Sequence, residues 1–207
     1  MIHFSAIIHH TGVSLTHKAL RHWGFDHSAT CEIAARNLWC TIFCVYFVIC
    51  GVQWQVPLLQ HALLGYIASD VALMLRMPQF NTMENWMHHI LTTILVLYSI
   101  VEKTLHYDLI QLGGIGELST AFLSVADTFK HIPWLQKRYS RVNQAFRALF
   151  IVSFVILRVF WWSYVILVAT KTPPSIIFFC AFYGILMMQY YWFFLILRWC
   201  CKKIEVR

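Results

Sequence analysis

The residues of this sequence best suited to chemistry are His88, His89, Asp70, Glu117, Asp127, Arg158 and Gln189, since each stands within or at the end of an apolar stretch. Imidazole takes up and releases a proton near neutral pH, so the histidine pair offers a base or a nucleophile. Adjacent residues point about 100° apart on a helix, so one histidine can act while the other packs. Glu117 and Arg158 offer an ion pair whose simplest role is to fix helix register. Asp70, His88, Glu117, Arg158 and Gln189 form a candidate polar cluster, either for lipid binding or for structure. Other chemistries lack their residues. The seven cysteines include no Cys-x-x-Cys pair that would build a zinc site, and no metal or cofactor is expected. There is no Gly-rich phosphate loop, nucleophile elbow or His-Glu-x-x-His.

The elements that must position these residues are membrane helices. The chain is 59% hydrophobic and only 12% charged, where a soluble domain carries about 25% charged residues. Apolar windows near the ~20 residues that cross a bilayer run from Ile33 to Trp54, Pro57 to Met77, Trp86 to Val101, Leu109 to Phe129, Gln144 to Val168 and Ser175 to Trp199. The third window is short. The fourth is the least apolar, holding Gly113, Gly114, Gly116, Glu117, Ser119, Thr120 and Asp127, a density of small and polar residues that suits a helix packed inside a bundle. Lys171, Thr172, Pro173 and Pro174 punctuate the last turn. The expected fold is an all-α polytopic bundle of about six transmembrane helices.

Charge supports that count. With six spans, Lys103 and Lys171 fall on one side and Arg158 within a span, while every other Lys and Arg falls on the opposite side. This asymmetry predicts both termini on the cytoplasmic or matrix side. It also accounts for the net charge of +7 without a nucleic-acid partner. Residues 1–30, without a long apolar core, are expected as an interfacial segment, with Ile2, Phe4, Ile7, Ile8 and Leu15 available for a membrane-facing surface.

Five elements in order resemble the TLC-domain family, the group that includes ceramide synthases and TRAM-like proteins. Gly65-Tyr66-Ile67-Ala68-Ser69-Asp70 resembles its second-helix signature, and Met87-His88-His89-Ile90-Leu91-Thr92 its di-histidine motif. Glu117-Leu118-Ser119-Thr120-Ala121-Phe122 is similar to an element of the branch that does not synthesise ceramide, with Ala121 where that branch has proline. Arg158 and Gln189-Tyr190-Tyr191-Trp192-Phe193 follow at suitable distances. The resemblance covers roughly residues 35–202 and implies a TLC-like transmembrane domain over 31–207.

In ceramide synthases the di-histidine transfers an acyl group from acyl-CoA to a sphingoid base, which implies His88 or His89, with Asp127, as the catalytic set of an acyltransferase. Those enzymes follow with a His-Asp pair and a further Asp, where this chain has Glu117-Leu-Ser-Thr and a lone Asp127. The expected function is therefore binding of a phospholipid or acyl lipid without catalysis. Compactness and the motif substitutions point to an accessory subunit of a larger membrane complex, of the mitochondrial respiratory or ATP-synthase type. The alternative is a stand-alone lipid-handling protein of the endomembrane system. The expected location is the mitochondrial inner membrane or the endoplasmic reticulum.

Overall fold

The computed structural model describes residues 2–22, 28–102, 106–169 and 175–205. Lys103 and the turn at Lys171, Thr172, Pro173 and Pro174 lie outside them. In chain order the helices are α1 (Ile2–His22), α2 (Ser28–Val52), α3 (Val56–Met74), α4 (Met83–Val101), α5 (His106–Leu109), α6 (Leu118–His131), α7 (Pro133–Arg138), α8 (Ser140–Ser153), α9 (Trp162–Ala169) and α10 (Ile176–Glu205). Among the described residues there is no strand. The protein is an all-α membrane helix bundle.

Among the described residues, four stretches are long and apolar enough to cross a bilayer: Thr30–Val52, Val56–Met74, Ser140–Val168 and Ile176–Cys201. The short third window and the polar fourth are helical too. The third forms α4, whose first turn is capped by Thr82 Oγ1 accepting from the Asn85 backbone N–H at 3.3 Å. It packs against α3 and α10. The fourth is not one regular helix. A π-helical turn, Ile110–Gly114, and a 3-10 turn, Ile115–Glu117, precede α6, which packs between α2 and α8. A second π-helical stretch, Phe154–Trp161, joins α8 to α9 and carries Arg158. Wide turns of this kind recur at functional sites, because they re-aim side chains that a regular helix would stack.

The described part of the N-terminal segment, α1, runs lengthwise along α2 and α3. His9, Gly12, Val13 and Thr16 form one stripe at helical spacing. His9 Nδ1 lies 2.7 Å from Ser69 Oγ, and its ring meets those of Phe43 and Tyr66 edge-on. The Trp39 indole donates to Thr16 Oγ1 at 2.9 Å and lies across Gly12, where a Cβ would come within 2.2 Å of it. Val13 packs with Ile33, Leu73 and Met77. The pairing of 9 with 69 and 13 with 73 makes α1 parallel to α3, so its start lies toward the middle of the bundle, away from Lys18 and Arg21. Ile7 and Leu15 remain exposed on the other face. The side chains of Ile2 and Phe4 lie outside the described residues.

The larger apolar clusters hold the helices together. Phe43, Phe47, Leu59, Leu63 and Val96 join α2, α3 and α4, while Leu95, Trp162, Phe178, Phe182 and Ile185 join α4, α9 and α10. Where the broken fourth segment meets α2, a Cβ on Gly114 would stand 2.9 Å from the Gly51 Cα and 3.2 Å from the Phe47 carbonyl oxygen. Both obstacles are backbone. Gly114→Ala is therefore expected to cost about 1–3 kcal/mol through overpacking. Gly184→Ala meets only the Leu91 side chain at 3.1 Å, which can turn aside, and should cost less. Thermal unfolding of the two variants in one detergent checks the order.

Candidate functional site

Three helices meet at Asp70. Arg36 of α2 donates to it through Nε at 2.9 Å and Nη2 at 2.8 Å, while His89 of α4 places Nε2 3.0 Å from Asp70 Oδ2. The side chains of Arg36 and Asp70 are 13% and 3% exposed, so this is a bidentate pair largely shielded from water. The guanidinium also lies over the Phe80 ring, 4.0 Å from its centre. An imidazole whose Nε2 is spent on a carboxylate keeps Nδ1 for another partner, and His89 Nδ1 has none among the described residues.

A second centre forms around Arg158. It donates to Ser119 Oγ through Nε, and to Glu117 Oε1 and Thr120 Oγ1 through Nη2, each at 2.8 Å. Gln189 Oε1 lies 3.5 Å from Nη1, and the Trp162 ring stacks 4.8 Å from the guanidinium. The Glu-Leu-Ser-Thr run follows a turn and opens a helix, which brings Glu117, Ser119 and Thr120 onto one cation. Between the two centres lie Cys40, Cys44, Tyr66 and Ser124. Cys40 Sγ is 3.2 Å from both Tyr66 Oη and Ser124 Oγ, and Cys44 Sγ is 3.8 Å from Glu117 Oε2.

Most of these groups wall one cavity of about 510 Å³. Asp70, His88, His89, Glu117, Asp127 and Arg158 all line it, with Phe47, Leu63, Phe150, Phe154 and Leu195 supplying apolar wall. Gln189 is buried behind the wall, against Arg158. Asp127 does not meet either histidine of the pair. It accepts from Asn37 Nδ2 at 2.9 Å and lies near His131 and Lys130, at 3.5 and 3.9 Å. The His88 ring lies tilted against that of His89 and meets Trp192 edge-on. At the basic end a groove of about 280 Å³, with Lys130, Arg147 and Trp199 at its edge, shares Leu123, Asp127, Phe150, Leu195 and Ile196 with the central cavity. At the other end a chamber of about 40 Å³ shares Leu63, His88, Thr92 and Glu117 with it.

A family model for the TLC domain matches residues 34–198. The chain belongs to the TLC-domain family. No curated protein and no solved structure matches it. Family and apolar helices together make this TLC protein an integral membrane protein.

The sequence pairs Glu117 with Arg158, and the structure has that pair. Arg36 counts as surface charge in the sequence, yet the fold holds it against Asp70. The signal was its place a few residues inside the first window, where an unpaired cation is costly. His9 and Cys40 gave no such signal, since neither belongs to a motif. Removing one partner of a buried pair leaves the other uncompensated, at about 3–5 kcal/mol. Asp70→Leu alone should therefore destabilise by that order, and Arg36→Met with Asp70→Leu should recover most of the loss. Unfolding midpoints of the single and double variants test this, and equal losses would deny the pairing.

Proposed function

We propose that this TLC protein holds a lipid in its central cavity without turning it over. One observation carries the reading. The cavity is large enough for an acyl chain, and its charged walls are matched to each other across helices: Arg36 with Asp70, and Arg158 with Glu117. A wall whose ions already satisfy one another offers polar anchoring and apolar surface, and it leaves no charge that demands a charged substrate. The basic end of the bundle, with the groove at Lys130 and Arg147, would face the cytoplasm or matrix, where anionic headgroups collect.

Acyl transfer is the second reading, favoured by the contact between His89 Nε2 and Asp70. A carboxylate in that position orients an imidazole, and His89 would then act as the base. Against it, Arg36 holds the same carboxylate in a bidentate grip, and Asp127 is occupied with Asn37.

The test is purification in mild detergent, followed by native mass spectrometry of the chain and of whatever stays with it. One retained lipid per chain is expected, lost in Ile196→Trp, which fills the cavity from α10 while the fold persists by circular dichroism. Absence of any retained lipid would overturn the proposal. Release of CoA thiol from an acyl-CoA only when a sphingoid base is added, with the acyl group recovered on its amine and both abolished by His89→Ala, would replace it with acyl transfer. The same separation reads whether the chain travels alone or as a subunit of a larger assembly, which supplies the lipid-holding role with its setting.

A further inference from the structure

The small chamber beyond His88 holds a set of unsatisfied groups. His88 Nδ1, Thr92 Oγ1 and Trp162 Nε1 are buried and have no hydrogen-bond partner among the described residues, and all three residues line this chamber. They come from two sides. His88 and Thr92 are one helical turn apart on α4, on the same face, and Trp162 opens α9 opposite. Gly116 makes room for the indole, since a Cβ there would come within 2.5 Å of Trp162 Nε1. An unpaired buried donor or acceptor costs about 1–3 kcal/mol, so three around one space point to something that fills it.

The chemistry of that occupant follows from the donors. Indole N–H only donates, so it needs an acceptor. The remaining wall is apolar, with Leu95, Phe178 and Ile185. Glu117 and Asp108 also face the space, and a second anion beside two carboxyl groups would be repelled. Burial pushes the Asp108 carboxyl up to about 6, which marks this end as a place poor in compensating charge. A cation fails on the same ground, because an ammonium carries no acceptor for the indole N–H, and Glu117 is already held by Arg158.

Resting on the proposed lipid-holding role, we infer that the chamber receives an uncharged oxygen, the hydroxyl or ester carbonyl at the end of a long chain whose body lies in the central cavity. Trp162 Nε1 and Thr92 Oγ1 donate to that oxygen, and His88 Nδ1 completes its shell. The shared wall of Leu63, His88, Thr92 and Glu117 is where the chain passes from one space to the other.

The experiment uses the full chain, delipidated in detergent and titrated with oleyl alcohol, methyl oleate, oleate, oleylamine and octadecane, with bound probe counted by native mass spectrometry. The two uncharged oxygen probes are expected to bind at least about ten-fold more tightly than oleate or oleylamine. Whichever of the alcohol and the ester binds better identifies the oxygen. Thr92→Val, which keeps the side-chain shape, and Trp162→Phe should each weaken the uncharged oxygen probes about ten-fold and leave octadecane unchanged. Wild-type affinities in Thr92→Val, or oleate binding as tightly as the alcohol, would overturn the inference while leaving the lipid-holding role standing. Failure of every probe, octadecane included, would remove that role and this inference together.

Discussion

A guanidinium inside a helix bundle imposes more order on its surroundings than any apolar residue there. Arg158 brings five N–H donors to a place with little water, and each one left empty would cost the bundle free energy. Its partners come from separate parts of the chain: Glu117, Ser119 and Thr120 around the start of α6, and Gln189 on α10. Holding them fixes how the broken fourth segment sits against α9 and α10. Arg36 imposes the same constraint on α2, α3 and α4 through Asp70 and His89. The rest of the bundle closes around these two clamps.

The cavity is what lies between the clamps. Helices fixed at two points by long polar side chains cannot collapse fully onto one another, and the residues between, from Leu63 to Phe154, face a shared space. Its polarity is graded along the bundle. Lys130 and Arg147 stand at one end, the paired ions in the middle, and the mostly apolar chamber of Thr92 and Trp162 at the other. An amphiphile fits such a gradient because it is itself graded. The small residues serve the same end: Gly51, Gly114 and Gly116 let backbone and indole approach where a Cβ would force the segments apart.

The clamps also separate the two histidines of the pair. His89 is committed to the structure through Asp70, whereas His88 meets Trp192 edge-on and lines the inner chamber. The divergence expected of adjacent helical residues thus appears as a division of labour. Asp127 belongs to neither centre. Its carboxylate ties α6 to Asn37 of α2 near the basic end, a role that an isolated acidic residue in a sequence does not announce.

What the sequence determined by itself was set by solvent and by period. Apolar windows of bilayer length require helices, since backbone groups away from water must bond within their own segment. Charged residues inside such windows require partners, which made the Glu117–Arg158 pair legible, and the ordered motifs made the family legible. Only the tertiary structure decided which residue lies beside which across helices. Arg36 reads as surface charge until α3 brings Asp70 to it, and the stripe of His9, Gly12, Val13 and Thr16 in the segment expected at the interface finds Trp39 and Phe43 only in the fold. The unpartnered set of His88, Thr92 and Trp162 exists only after folding, because lateral packing between helices carries no period that a single chain could display.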